Sequence, residues 1–65
     1  MILSGRMIKE VRTAYGEVQV KIAQLGGGKI KIAPEFDDCR RLAELHQVPV
    51  REIYFAAEEA ARRLS

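Results

Sequence analysis

The stretch VQVKIAQLGGGKIKIAPEFDDCRR, residues 18–41, contains the two periodicities that decide the fold. Before Pro34, apolar and polar residues alternate, as they do in a strand with one buried face. After Pro34, apolar residues recur at three- and four-residue steps, which is the spacing of a helix with one buried stripe. The stretch therefore predicts two strands followed by a helix.

Alternation of this kind predicts three strands in all, over residues 7–13, 17–25 and 29–33. Gly16 can take the positive φ that a tight turn needs, and three successive glycines at 26–28 connect the second and third strands. Because strands joined by short turns pair with their neighbours in the chain, we expect a three-stranded antiparallel meander.

Two helices are predicted after the strands. The first begins at Pro34 and ends near His46 and Gln47, and the second begins at Pro49. Their predicted apolar stripes comprise Phe36, Cys39, Leu42 and Ala43 in the first helix, and Val50, Ile53, Tyr54, Ala57, Ala61 and Leu64 in the second. The fold class is therefore α+β, in the order β-β-β-α-α, with both helices on one face of the sheet.

Length and composition limit what the chain can be. Its 65 residues suffice for one small domain or a fragment of a larger protein, and we expect a tail over residues 1–6 and one domain over 7–65. The net charge of +2 and 31% charged residues of both signs do not demand a nucleic-acid partner. A single cysteine, with no signal peptide or membrane-length apolar run, predicts a cytoplasmic protein.

Lysines follow one face of the predicted sheet. If Val18, Val20, Ile22, Ile30 and Ile32 face the helices, then Lys21, Lys29 and Lys31 share the opposite face. Such a stripe can bind phosphates, or it can simply keep an open sheet face soluble. The alternation alone favours the second interpretation.

Three acids, Glu35, Asp37 and Asp38, lie at the start of the first helix. They suit the positive end of the helix dipole, and Asp37 is four residues before Arg41, so no ligand is required. Carboxylates beside Lys31 would nevertheless repel a phosphate unless a divalent cation bridged the two. Glu35 and Asp38 are the candidate pair of metal ligands, although spacing alone favours helix capping.

Several other residues have more than one interpretation. Cys39 falls on the apolar stripe, which favours a core residue over a nucleophile. Tyr15 could stack on a base or shield the hairpin turn, and Phe55, on the polar side of the second helix, predicts a contact with another subunit or with a missing part of the protein. The spacing of apolar residues around residues 40–57 also fits a helix-turn-helix, in which Arg51 would lie on the recognition helix. Three glutamates on that helix oppose DNA binding.

Two segments, TAYGEVQVKIAQLGG (residues 13–27) and IAPEFDDCRRLAELHQVPVREIYFAA (residues 32–57), carry a family resemblance. They resemble the C-terminal domain of the nickel-inserting cyclometallase, usually called LarC, that completes the nickel-pincer nucleotide cofactor of lactate racemase. The "PEFDDC" core is the most specific feature. Ala14 stands where the family often has proline, and Phe36 where tyrosine is common, which puts in doubt a hydroxyl role at that position.

The resemblance implies a domain that binds CTP with Mn²⁺ or Mg²⁺, as the C-terminal part of an enzyme of the lyase, metal-chelatase type. That enzyme inserts nickel into pyridinium-3,5-bisthiocarboxylic acid mononucleotide, and its absent N-terminal portion would handle the nickel, so this fragment should be inactive alone. We also expect a homo-oligomer and no membrane partner. The alternatives are a helix-turn-helix-like DNA-binding module and a purely structural oligomerisation domain.

The resemblance implies the ligand, and the spacing of the candidate residues leads to a hypothesis for the role of each. No catalytic residue is predicted, because the chain offers no plausible nucleophile. The predicted triphosphate contacts are Lys21, Lys29 and Lys31, with Arg40 and Arg41 as weaker candidates. The predicted metal ligands are Glu35 and Asp38, with Asp37 in reserve, and Tyr15 or Phe36 would stack on cytosine.

Overall fold

The computed structural model describes residues 6–64. It contains strands β1 (Arg6–Thr13), β2 (Gly16–Gly26) and β3 (Lys29–Pro34), followed by helices α1 (Phe36–His46) and α2 (Val50–Leu64). The predicted α+β class and the β-β-β-α-α order are confirmed. Of the predicted tail, residues 1–5 lie outside the described residues, and Arg6 already belongs to β1. No helix within residues 6–64 is long and apolar enough to cross a membrane.

The three strands form an antiparallel meander in the order β1-β2-β3, so β2 is the central strand. Val11 pairs with Val18, and Ile22 pairs with Ile32, which places apolar residues of all three strands on the face that carries the helices. A register shift between Gln24 and Gly26 leaves an extra residue in β2 near the second turn. This irregularity is a β-bulge, which increases the local twist of the ribbon.

The first turn depends on Gly16. Its φ of 135° is in a region that L-residues rarely adopt. The Thr13 hydroxyl donates to the Gly16 carbonyl oxygen at 2.7 Å and accepts from the Tyr15 amide at 3.0 Å, so the turn has its own hydrogen-bond set. A Cβ added at Gly16 would lie 3.0 Å from Leu42 Cδ2, because α1 packs directly on the turn.

The core lies between the sheet and the two helices. Its buried members are Val11, Val18 and Val20 from the sheet, Cys39, Leu42 and Ala43 from α1, and Ile53, Ala57 and Ala61 from α2. Four predicted members, Ile22, Ile32, Val50 and Tyr54, are partly buried against this core. Three others are exposed: Phe36 by 55%, Leu64 by 57% and Ile30 by 39%. Phe36 and Leu64 are terminal residues of their helices, and Ile30 lies near the glycine turn, beyond the part of the sheet that the helices cover.

Both predicted helix starts were one or two residues early. Pro34 is the last residue of β3 and is buried, and Glu35 is the N-cap of α1. The reason is that the Glu35 amide donates to the Gln19 carbonyl oxygen at 2.8 Å, which continues strand pairing past the proline. The second helix likewise starts at Val50, after Pro49.

The two helices are joined by only three residues, 47–49. Gln47 adopts the left-handed conformation with φ 59°, and its amide and that of Val48 both donate to the Ala43 carbonyl oxygen. This is a helix C-terminal motif that usually employs glycine. The tight connection keeps α1 and α2 adjacent on the same face of the sheet.

Candidate functional site

A groove of about 680 Å³ lies along the sheet, with two lysines on its rim. Lys21 pairs with Ala33, and Lys31 pairs with Ala23, so the two lysines occupy diagonal positions on the face opposite the helices. Ile8, which pairs with Lys21, adds an apolar wall. This volume is within the range of small-molecule sites, and the lining combines apolar surface with two cationic groups.

Lys29 lies apart from these two lysines. It pairs with Gly26 beyond the bulge and contributes to a separate, smaller depression of about 200 Å³ at the glycine turn. Gly26 lies seven residues along β2 from Gln19, the residue that contacts the start of α1. At the usual rise per residue in a strand, these seven residues span roughly 23 Å. The structure therefore brings Lys21 and Lys31 together, and it places Lys29 far from the predicted metal ligands.

Asp38 is held against the central strand. The Gln19 amide donates to Asp38 Oδ2 at 3.0 Å, and Arg41 Nη2 donates to Oδ1 at 3.3 Å. β3 has ended at this point, so the carboxylate occupies the place of a strand carbonyl that would otherwise accept from Gln19. Only 19% of the Asp38 side chain is exposed.

The other two acids differ from Asp38 in their surroundings. Asp37 is mostly exposed and lies 3.8 Å from Arg40, rather than beside Arg41 as the four-residue spacing suggested. Glu35 is partly exposed, and its carboxylate makes no capping hydrogen bond. The arginines thus partly neutralise Asp37 and Asp38, and the repulsion that the sequence predicted between the acids and a phosphate is correspondingly weaker.

The pKa of Cys39 reflects the negative charge around the start of α1. Burial raises the pKa of this thiol, and the nearby Asp38 and Glu35 carboxylates raise it further. Both carboxylates are therefore within electrostatic range of this buried sulfur atom. The prediction that Cys39 belongs to the core is confirmed.

Within residues 6–64, no group of three or more His, Cys, Asp or Glu side chains converges to hold a metal ion. A cation bound at the α1 start would take one or two carboxylate oxygens from this chain. Hard divalent ions commonly bind in that way, with phosphate oxygens and water completing the coordination shell. The available donor set fits such an ion only together with a phosphate ligand.

Tyr15 connects the first hairpin to both helices. Its ring meets that of His46 edge-on, with centroids 5.6 Å apart, and its hydroxyl donates to Glu52 Oε1 at 3.3 Å. His46 Nε2 lies 2.8 Å from the Tyr15 carbonyl oxygen, which can only accept, so this nitrogen carries a proton. Sequence reasoning missed the contact because the partners are 31 residues apart and no periodicity links them.

The two predicted base-stacking residues lie at opposite ends of α1. Phe36 is its first residue and Tyr15 contacts its last, His46, so about 15 Å of helix separates them. Phe36 is exposed and directly follows Glu35, whereas Tyr15 is partly buried by its contacts. Of the two, Phe36 is the aromatic residue near the carboxylates.

In the region whose spacing fits a helix-turn-helix, Val50 and Tyr54 are partly buried against the core, and Arg51 is exposed. Phe55 is 63% exposed, as its place on the polar side of α2 predicted. It lines a second groove, of about 500 Å³, between α2 and the first hairpin.

The chain is similar to known proteins over most of its length. Residues 1–54 match the family described as nickel insertion protein. A pyridinium-3,5-bisthiocarboxylic acid mononucleotide nickel insertion protein from Thermotoga sp. (strain RQ2) is 39% identical over 51 residues, which are 78% of this chain and 13% of that protein. One of the same description from Desulfitobacterium hafniense (strain DSM 10664 / DCB-2) is 43% identical over 54 residues, 83% of this chain and again 13% of the relative.

A solved structure shares the fold. It is LarC2, the C-terminal domain of a cyclometallase involved in the synthesis of the NPN cofactor of lactate racemase, in its apo form. The TM-score is 0.78 at 37% sequence identity, and the match covers 95% of this chain and 42% of that one. The chain therefore spans well under half of the solved domain and about an eighth of these two full-length relatives.

Proposed function

This chain belongs to the nickel insertion protein family, and from that premise we propose that it binds CTP together with a divalent cation, Mn²⁺ or Mg²⁺. The observation that carries the proposal is that Lys21 and Lys31 line the same groove, whose volume is large enough for a nucleotide. Lys21 is two residues, or roughly 7 Å along the strand, from Gln19, whose carbonyl oxygen accepts from the Glu35 amide at the start of α1.

The lysines would hold the triphosphate. Each ammonium group can donate to phosphate oxygens, and charge-assisted bonds of this type are about twice as strong as neutral ones. Lys21 and Lys31 approach the groove from neighbouring strands, so they can contact different phosphates of one ligand. Arg40 and Arg41 are weaker candidates because each already lies beside an aspartate.

The cation would be held at the α1 start. Its donors from this chain are the carboxylates there, and phosphate oxygens and water supply the remainder. When bound, the cation neutralises phosphate charge. Phe36, exposed beside Glu35, is the residue that we propose to stack on the cytosine ring.

Within the proposed larger enzyme, this chain binds and orients the nucleotide. The cysteine is buried and protonated, and residues 6–64 offer no activated nucleophile, so we assign bond-making to the remainder of the protein. That protein would insert nickel into pyridinium-3,5-bisthiocarboxylic acid mononucleotide, as the names of the relatives state for them. We further propose a cytoplasmic homo-oligomer, in which the exposed Phe55 contacts another subunit or the rest of the enzyme.

A thermal-shift comparison of nucleotides tests the proposal directly. A ligand that binds only the folded state raises the melting temperature. CTP with Mn²⁺ should raise it more than UTP, ATP or GTP with Mn²⁺, and more than CTP with EDTA. No shift with any nucleotide would refute the proposal, and retardation of duplex DNA with a steep salt dependence would favour a DNA-binding module instead.

Calorimetric titration of the variants then tests the site. Lys21→Ala and Lys31→Ala should each weaken CTP binding about ten-fold to a hundred-fold, the loss expected for a hydrogen bond to a charged group. Lys9→Ala is the matched control, because Lys9 is also exposed but pairs with Val20 on the helix-bearing face. Equal effects at all three positions would show that the lysines act only through net charge.

A further inference from the structure

Building on the proposed homo-oligomer, and without reference to the nucleotide, we infer that α2 forms the contact between two copies of this chain. The two α2 helices lie antiparallel across a two-fold axis. Phe55 packs on Phe55 of the second copy, and Glu52 binds Arg63 of the second copy.

Phe55 is a large apolar side chain that the fold leaves in water. It is 63% exposed, although it lies in the second turn of α2 rather than at an end of the helix. Within residues 6–64, the buried core consists of aliphatic residues and one cysteine, with no aromatic side chain. Small domains with limited cores commonly gain stability by oligomerisation. Since aromatic residues are enriched at protein interfaces, Phe55 is a candidate contact with a second chain.

Phe55 lines the groove between α2 and the first hairpin, and the α2 wall of that groove has the spacing of a helix–helix seam. Glu52, Ala56, Glu59 and Arg63 follow one another along this wall at steps of four, three and four residues. Residues at this spacing face one neighbouring helix along its length. Ala56 has a small side chain, so another helix can come close at the centre of the wall. The groove therefore suits a helix that lies along α2.

The charges along this wall favour a second copy of α2 as that helix. Glu52 is in the first turn and Arg63 in the last, so the wall is acidic at one end and basic at the other. An antiparallel copy places each Glu52 level with Arg63 of the other copy, and the two-fold axis repeats this ion pair. A parallel copy would place like charges side by side. The same charges also suit the helix dipole, but the dipole gives no reason for an exposed Phe55 between them.

Both contacts are compatible with the structure of the single chain. Arg63 Nη2 lies 4.0 Å from Glu59 Oε1, and the arginine side chain is 82% exposed. A guanidinium has five donors, so Arg63 can bind Glu59 and the incoming Glu52 together. The two Phe55 rings come to the same side of the helix pair near the axis, where an offset or edge-on contact adds to apolar burial.

The interface is small and lies away from the proposed nucleotide groove. α2 has 15 residues, and one pair of such helices buries less than the roughly 800 Å² per partner of a standard interface. We therefore expect a reversible dimer that forms as the concentration rises. Lys21 and Lys31 are on the face of the sheet opposite the helices, so dimer formation leaves the nucleotide groove open.

Sedimentation velocity from about 1 μM to about 1 mM measures the association. Wild type should change from monomer to dimer over this range. Phe55→Ser should weaken association by about ten-fold or more, and its melting temperature at low concentration should stay nearly that of wild type because the side chain is exposed. Glu52→Arg and Arg63→Glu each place like charges together twice and should also weaken association by about ten-fold or more.

The double reversal Glu52→Arg/Arg63→Glu restores the ion pair in the opposite sense. It should associate at least about three-fold more tightly than either single variant, a recovery that damage to the helix dipole could not produce. Arg51→Glu is the matched control, because it makes the same charge change at an exposed position of α2 outside the groove, and its association should equal that of wild type.

Three results would overturn the inference: a wild type that stays monomeric throughout, a dimer that Phe55→Ser leaves intact, or a double reversal no tighter than the single variants. The first would assign Phe55 to the rest of the enzyme. The nucleotide proposal is tested separately, since CTP with Mn²⁺ should raise the melting temperature of Phe55→Ser as much as that of wild type. A monomer that binds CTP refutes only the dimer, and a dimer that binds no nucleotide refutes only the nucleotide proposal.

Discussion

Replacing Gly16 with alanine should remove a large part of the stability of this domain. Two separate penalties apply. The φ of 135° is outside the regions that alanine adopts comfortably, and such strain costs on the order of 1–3 kcal/mol. The new Cβ would also lie 3.0 Å from Leu42 Cδ2 and 3.4 Å from Cδ1, an overpacking that typically costs about 1–3 kcal/mol.

The expected sum, about 2–6 kcal/mol, is comparable with the total stability of roughly 3–10 kcal/mol that a chain of this length has. Urea unfolding followed by circular dichroism measures it. With an m-value of about 1 kcal/mol per molar, the midpoint should fall by roughly 2 M or more. Gly27→Ala is the matched control, because its φ is 64° but no atom lies within 4 Å of the added Cβ, and it should cost only the backbone strain of about 1–2 kcal/mol.

A double-mutant cycle separates the two penalties. Leu42→Ala alone opens a cavity and should cost about 2–5 kcal/mol. In the double variant Gly16→Ala/Leu42→Ala the close contact is gone, so the combined loss should be smaller than the sum by about 1 kcal/mol or more. Strict additivity, or equal losses for Gly16→Ala and Gly27→Ala, would show that the contact between the turn and α1 contributes nothing.

Substitutions at three further positions test other features of the same structure. Gln47→Gly relieves the left-handed conformation at the end of α1 and should stabilise the domain by about 0.5–1 kcal/mol in thermal unfolding, whereas Gln47→Ala should not. Because the folded pKa of Cys39 is raised, the stability contribution of this thiol is fully present below its unfolded pKa of about 8.5 and is lost as the pH rises through the folded value. Wild type should therefore lose more stability than Cys39→Ala between pH 7 and pH 10 in urea titrations, and equal losses would contradict the shift. Tyr15→Phe removes only an exposed bond to Glu52 and should cost under about 1 kcal/mol, while Tyr15→Ala also removes the His46 ring contact and should cost about 2–4 kcal/mol in the same assay.

Periodicity predicted the elements well because each has one buried face. The alternation of Val18 and Val20 and the three- to four-residue spacing of Cys39, Leu42 and Ala43 correspond directly to buried positions. Element ends were predicted less well. The exposure of Phe36 and Leu64 depends on where the helices end relative to the sheet, and no local pattern encodes that.

For the candidate site, the sequence predicted the sheet face on which the lysines lie but not the distances between the candidate residues. Lys21 and Lys31 do share a groove, while Lys29 is separated from the carboxylates by the length of β2. The commitment of Asp38 to the Gln19 amide could not be inferred, because a contact over 19 residues depends on where β3 ends. The ligand class that we propose rests on the resemblance to a known family, because charge patterning alone does not specify a nucleotide.

The helices pack on only one end of β2, and this has a consequence for the local dynamics of the strand. The domain measures 43 × 19 × 15 Å, and the helices cover the end of the sheet that contains Val18 and Val20. At the other end, Leu25 is 61% exposed and Ile30 39%. Amide hydrogen exchange should therefore follow a gradient along one strand, slow near Val18 and fast near the glycine turn, as regions with few buried contacts open locally. Lys21 and Lys31 lie between these two ends. A ligand that bridges them would slow exchange at the glycine turn without touching it, so binding could be detected at a distance from the site.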